Sequence, residues 1–361
     1  MSHRVFNFNP GPAILPAPVL EKAAAAVREL PGTGMSVLEI SHRGKDYTAI
    51  NQETQERFAR LAGIEGSHKV LLLQGGASLQ FAMVPMNLME PGGSADYIVT
   101  GSWAKKAVAE GNRRGTARIA ATSEDANFAY IPEANSLDLD PEAAYLHYTS
   151  NNTIFGTQFS YQPDAGEVPL VVDTSSDMFS RRMDFAAHGL IYAGAQKNLG
   201  PAGVTLVAIR TDLLGRSPKE LPAVLSYAVQ AEKDSAYNTP PVFSVFVVKL
   251  VLEWIQENGG LEAVEARNRE KANLLYAAID GSGFYRGTAR EDSRSPMNVT
   301  FRLPSEEHEK RFLDRATAAG LIGLKGHRSV GGCRASLYNA FPKEGVEALV
   351  AFMAEFEREN G

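Results

Sequence analysis

The sequence predicts an α/β protein: a large domain on a mostly parallel sheet, followed by a smaller C-terminal α+β domain. Three observations carry this reading. Short apolar runs without strict alternation recur between residues 69 and 210, the pattern of strands buried on both faces. Helical patterns lie between several of them. After Glu253 the character changes to a few strands separated by helices. At 361 residues the chain is long enough for two domains.

The elements follow in order. Residues 1–16, MSHRVFNFNPGPAILP, contain no apolar run long enough for a signal-peptide core, and Asn9, Pro10, Gly11 and Pro12 would break one. The predicted strands of the large domain are KVLLLQ (69–74), DYIVT (96–100), AYLHYT (144–149), PLVVDT (169–174), GLIYAG (189–194) and VTLVAIR (204–210). Helical patterns run over Ser78–Met89 and Trp103–Glu110. The apolar stretch Val242–Ile255 is interrupted by Lys249 and Glu253. It is shorter than the roughly 20 apolar residues a membrane span needs, so it reads as a core helix. Asn258, Gly259 and Gly260 mark a break, placing the large domain at 1–255, N-terminal arm included, and the small one at 256–361. The small domain reads as helix Leu261–Ile279, strand 297–303, helix Ser305–Ala319 with Gly320 as its stop, strand 334–339 and helix Lys343–Glu359.

Composition narrows the function. Hydrophobic content of 44% and charged content of 22% exclude disordered and fibrous classes. A net charge of -6 argues against general affinity for nucleic acid or an anionic membrane. The single cysteine, Cys333, excludes a disulfide within the chain and predicts a reducing, cytoplasmic setting. The seven histidines form no ligand-spaced set, so no metal is expected.

The segment IYAGAQKNLGPAG (191–203) sets Lys197 on a polar loop flanked by Gly194, Gly200 and Gly203. A lysine that condenses with an aldehyde must be a free amine, which shielded pockets favour. Alone, the segment reads equally as a solvated loop lysine. Asp173 ends an apolar strand 24 residues earlier. Pyridoxal phosphate (PLP) chemistry needs a carboxylate against the pyridine nitrogen, and neighbouring strand ends would bring this pair to one sheet edge. An Asp ending a strand is also a common helix cap. QGGAS (74–78) lies between a predicted strand and helix, where backbone N–H groups bind phosphate; a plain turn is the alternative. It is neither a Walker loop nor a dinucleotide fingerprint. Trp103, one of two tryptophans, follows a strand and reads either as a ring-stacking residue or as a core aromatic. Thr153 reads either as a donor to a ring hydroxyl or as a turn residue.

The stretch KGHRSVGGCRAS (325–336) concentrates Lys325, His327, Arg328 and Arg334 among glycines, and SHRGK (41–45) adds His42, Arg43 and Lys45. Arginine is suited to bidentate capture of carboxylate and phosphate, so these loops fit a small substrate with two anionic groups. Two solvated loops are the alternative.

Together FNFNPGPAILP (6–16), SHRGK (41–45), LLLQGGASLQF (71–81), TSNNTIFGTQF (149–159), YAGAQKNLGPAG (192–203), YNTPPVF (237–243) and GHRSVGGCRASLYNAFP (326–342) resemble the class V aminotransferases, fold-type I PLP enzymes, and among them the phosphoserine-forming branch. The resemblance runs nearly the whole chain. It implies transamination between L-glutamate and 3-phosphohydroxypyruvate, giving 2-oxoglutarate and O-phospho-L-serine, and in some members a related four-carbon step of vitamin B6 synthesis. It implies that Lys197 carries the cofactor as a Schiff base and that Asp173 partners the pyridine nitrogen. Trp103 would stack on the ring and Thr153 would meet its 3-hydroxyl. The resemblance assigns the cofactor phosphate to Gly76, Ala77, Ser78 and Gln196, joined by Asn238 and Thr239 of a second subunit. It assigns the substrate α-carboxylate to Arg334. The substrate phosphate falls to His327 and Arg328, with His42 and Arg43 across a homodimer interface. One departure is that some members carry an arginine just after the Gly-Gly pair, where this chain has Ala77 and Ser78.

Competing readings are separable. A desulfurase needs a nucleophilic cysteine on a mobile loop, and the one thiol, Cys333, lies instead beside Arg334. An unspecialised aminotransferase would share the lysine and aspartate, since basic residues alone do not name a substrate. A noncatalytic anion-binding protein would be colourless when purified and would bind its ligand without Lys197.

Overall fold

The computed structural model describes residues 5–361. The first four residues, part of the stretch read above as lacking a signal-peptide core, lie outside them. Among the described residues the main sheet has seven strands, in the spatial order His68–Leu73, Thr205–Arg210, Leu190–Gly194, Leu170–Asp173, Leu146–Thr149, Ser94–Val99, Thr116–Thr122. Thr205–Arg210 runs antiparallel to both neighbours and the other pairings are parallel, so the sheet is mostly parallel as expected. The six predicted strands all form. The seventh, Thr116–Thr122, is an edge strand half open to solvent, with Ile119 55% exposed, and its sequence carries no apolar run to announce it.

Register builds one edge of this sheet into a platform. Thr149 pairs with Asp173, Asp173 with Tyr192, and Thr205 with both Gly194 and Leu73. The C-terminal ends of the parallel strands therefore converge, and ligands in open α/β sheets bind outside such ends. Apolar residues on both faces bury against helices. Two clusters result, one around Val172, Ile191 and Leu206, the other around Val171, Tyr192 and Val207.

A third cluster belongs to the C-terminal unit, a sheet of Arg286–Gly287, Asn298–Arg302 and Cys333–Ser336 covered by the helices Gly260–Asp280, Glu306–Ala318 and Lys343–Asn360. Local chemistry explains the boundaries of the middle helix. The Ser305 hydroxyl accepts from the His308 N–H at 3.2 Å, acidic residues fill the first turn, and Gly320 takes a φ of 79° just beyond the end. The N-terminal arm, placed at the start of the 1–255 unit, touches both units: the Ala13 N–H donates to the Gln196 carbonyl at 2.8 Å and Leu15 packs on the large-domain core, while its first residues reach the C-terminal unit. Phe6 and Asn7 pair with Leu321 and Ile322, and Phe8 and Ile14 are buried in the C-terminal core. Two helices passed over in the sequence, Ala17–Arg28 and Lys45–Ala62, pack on the main sheet's helix Val242–Glu257. No helix among the described residues is long and apolar enough to cross a membrane.

Candidate active site

A pocket of about 140 Å³ opens on the platform, lined among others by Gly76, Ala77, Ser78, Trp103, Asp173, Gln196 and Lys197. Each arrives by a local route. The strand His68–Leu73 runs into Gly75, whose φ of 89° turns the chain into the helix Gly76–Leu88. A Cβ on Gly75 would lie 2.5 Å from Leu79, so only glycine makes this turn. The first N–H groups of the helix, with no partners inside it, face an anion-accepting end.

Asp173 ends its strand 4% exposed. Its Oδ1 accepts the Ser175 N–H at 2.9 Å and the Ser175 hydroxyl at 2.6 Å, and Ser175 in turn accepts from the Gly194 N–H at 3.1 Å. Both bonds fall on Oδ1, leaving Oδ2 available to a ligand. Burial raises the Asp173 pKa, opposed by Ser175 and by the charge of Lys197.

Lys197 donates from Nζ to the Thr153 hydroxyl at 2.7 Å and stands 5.9 Å from the Trp103 ring centroid. Desolvation lowers its pKa to about 8; Arg334 works in the same direction, Asp173 and Asp177 against it. The amine is thus far easier to free than that of a surface lysine. Asp177, fully buried and held by Ser150, Gln158 and Arg181, is itself pushed up to about 6 by burial. Trp103 Nε1 is buried without a partner.

The C-terminal unit supplies the cations. Arg334, 5% exposed, donates from Nη1 to the Thr153 carbonyl at 3.3 Å, and its Nε has no partner. A buried guanidinium with an unmet donor and no carboxylate is an anion site in waiting. His327 is held below the ordinary histidine range by partial burial and by Arg334, Arg328 and Lys106. Lys106 escaped the sequence reading. Its Nζ lies 4.5 Å from the Trp103 centroid, a neighbour that the three-residue helical spacing from Trp103 would have suggested. Asn151, Thr149 and Ser176 also line the pocket unforeseen; TSNNTIF and DTSS, polar runs directly after strands, were their signal.

Eight expected residues do not line this pocket within one chain: Thr153 and Arg334 stand at its edge, bonded to each other and, through Thr153, to Lys197, and His327, Arg328, His42, Arg43, Asn238 and Thr239 lie outside its lining. His42 is half-buried and Arg43 exposed just before the helix Lys45–Ala62. Asn238 donates to the Gln74 side chain at 2.7 Å, and Gln74 donates to the Thr239 carbonyl at 2.8 Å, so this pair adjoins the glycine turn without lining the pocket. Among the described residues no group of three or more His, Cys, Asp and Glu side chains is placed to hold a metal.

The pocket therefore fits PLP: a poised amine, a carboxylate with an oxygen to spare, an open helix start and an indole beside them. The comparisons with known proteins agree. The Aminotransferase class-V profile matches residues 5–349, and the chain belongs to that family. More particularly, it is similar to phosphoserine aminotransferases. It is 58% identical over 363 residues to the one from Desulfosudis oleivorans, covering 100% of both chains. The solved phosphoserine aminotransferase of Bacillus circulans subsp. alkalophilus matches with a TM-score of 0.98 at 54% identity, covering 100% of each. A PLP-bound phosphoserine aminotransferase from Trichomonas vaginalis matches with a TM-score of 0.92 at 38% identity, covering 97% of this chain and 100% of that one.

Proposed function

We infer that this chain is a PLP-dependent enzyme that transfers the amino group of L-glutamate to 3-phosphohydroxypyruvate, giving 2-oxoglutarate and O-phospho-L-serine. The observation that carries the reading is the meeting of the Lys197 amine, the Asp173 carboxylate and the open Gly76 helix start in one pocket, with Arg334 beside Thr153. Bound PLP supplies an electrophilic carbon and an electron sink, the chemistry a side chain cannot provide. Gly76, Ala77, Ser78 and Gln196 would hold its phosphate. Asp173 would keep a proton on the ring nitrogen, Trp103 would pack on the ring and Thr153 would meet its hydroxyl.

The Lys197 amine would take the proton from the substrate Cα and return it two atoms along, on the far side of the amino nitrogen, as base and then as acid. A pKa near 8 suits both tasks at neutral pH. Arg334 fixes the α-carboxylate in both half-reactions, and His327 and Arg328 take the distal anion. Glutamate and the phosphorylated keto acid each carry two anionic ends, so one set of cations serves both. A four-carbon phosphorylated substrate of vitamin B6 synthesis has the same two ends, and we propose it as a second substrate. We further propose a homodimer in which His42, Arg43, Asn238 and Thr239 complete the partner's site, and a cytoplasmic location.

The test is an absorbance spectrum of the purified protein beside Lys197→Ala. The wild type should show a cofactor band that changes with L-glutamate and returns with 3-phosphohydroxypyruvate, and the variant should show neither change. A band that responds to glutamate but ignores the phosphorylated keto acid would sink the substrate assignment. No band after incubation with PLP would favour an anion-binding protein.

A further inference from the structure

Lys271 lies on the helix Gly260–Asp280, far along the chain from every residue assigned so far, and is 3% exposed. Its ammonium has no carboxylate partner. All three of its N–H bonds go to backbone carbonyls, those of Leu337 at 3.0 Å, Tyr338 at 2.8 Å and Phe341 at 3.0 Å. Packing alone does not call for a lysine here, since methionine fills the same volume without bringing a charge out of water. Three converging acceptors do call for it: an ammonium has three donors, whereas a neutral amine has two and turns a lone pair toward a carbonyl. Burial, aided by Arg267, pushes the Lys271 pKa down to about 7.

The clamped turn leads to the active site in both directions. Just upstream, the strand Cys333–Ser336 carries Arg334. Inside the turn, the Asn339 N–H donates to the Asn198 side chain at 3.0 Å, and Asn198 is the neighbour of Lys197. Asn198 also donates to the Ser176 carbonyl at 3.1 Å, on the pocket wall. Asn268, one helical turn before Lys271, donates to the Asn339 side chain at 2.8 Å and to the Ser180 carbonyl at 3.0 Å. One face of one helix thus holds the turn that joins the Arg334 strand to the Lys197 loop.

We propose that Lys271 is a positioning residue for this reaction: by gathering the carbonyls of residues 337, 338 and 341 it holds Asn339 against Asn198 and sets Lys197 relative to Arg334. The inference rests on the roles given above to Lys197 and Arg334. Its test is Lys271→Met, compared with wild type as holoenzyme by the pH titration of the cofactor band, by kcat and KM for glutamate, and by melting temperature. Hydrogen exchange at the Asn339 amide is followed in the cofactor-free protein. A misplacement on the ångström scale predicts a fall in kcat of about 10- to 100-fold. With it come a raised KM, a displaced titration midpoint and faster exchange at Asn339. A variant that melts lower while kcat, KM and the titration keep wild-type values would overturn the proposal, because Lys271 would then be structural only. Should Lys271→Met fail to fold, Asn198→Ala cuts the link on the far side of an intact clamp. It should show the same kcat loss and displaced titration, and wild-type values there would overturn the proposal too. A wild-type protein without a cofactor band would instead mark failure of the function itself, and the exchange comparison would still report on the clamp.

Discussion

Lys197 and Asp173 act on each other through charge, and the sign of that coupling can be tested. The ionised carboxylate favours the ammonium, against the desolvation that brings the amine down to about 8. Asp173→Asn removes the charge and keeps the shape, so the amine pKa should fall further. Cofactor capture by the cofactor-free variant, followed by stopped-flow absorbance, should therefore reach its half-maximal rate at a lower pH than in wild type. Turnover should fall by about a hundredfold or more, the scale of losing a positioned proton partner. An unmoved capture profile would mean that Asp173 does not set the state of Lys197. Both residues were legible in the sequence, because a strand end and a glycine-flanked lysine are local signals. Lys106 and Lys271 were not. In KKAVAEG and RNREKANLL they read as ordinary helix lysines; helical spacing offered Lys106 as a neighbour of Trp103 without a role, and only the fold puts Lys271 beneath three carbonyls.

At the scale of one element, the helix Gly76–Leu88 shows how two adjacent glycines differ. Gly75 needs both a positive φ and an absent side chain, since a Cβ would meet Leu79 at 2.5 Å. Gly76 needs only the φ of 66°, and nothing lies within 4 Å of its would-be Cβ. Gly75→Ala should accordingly shift the helix start and weaken cofactor binding by about tenfold or more, the loss that follows from 1–2 kcal/mol of strain at the phosphate contacts. Gly76→Ala should cost less. Equilibrium dialysis of PLP against each cofactor-free variant measures the difference, and equal losses would remove the steric part of the argument. This element was readable because strand, glycine pair and helix are contiguous. Thr116–Thr122 was not, since an edge strand with one wet face lacks the apolar run that marks its neighbours. The pairing of the N-terminal arm with the C-terminal unit was not readable for a related reason: its partners Leu321 and Ile322 lie more than three hundred residues away in sequence, beyond any local pattern.

For the whole molecule the open matter is the completeness of the site. One chain brings Lys197, Asp173, the glycine turn and Arg334 together, yet leaves His42 and Arg43 on a loop that does not line the pocket. Leu20, Val27, Met35 and Leu38, exposed between 38% and 60%, lie in the same N-terminal stretch as those two basic residues, as an association surface would require. If the basic loop serves the partner's pocket, then damage to Lys197 and damage to Arg43 fall on different sites of one dimer. Lys197→Ala and Arg43→Ala are each expected to turn over the phosphorylated substrate poorly as pure proteins. Unfolded together and refolded as a mixture, they should form heterodimers in which one site pairs an intact Lys197 with an intact Arg43. Random twofold pairing then restores about a quarter of wild-type activity. Activity that stays at the average of the two pure variants, with heterodimers verified by mass, would mean that each chain works alone and that His42 and Arg43 serve no site but their own.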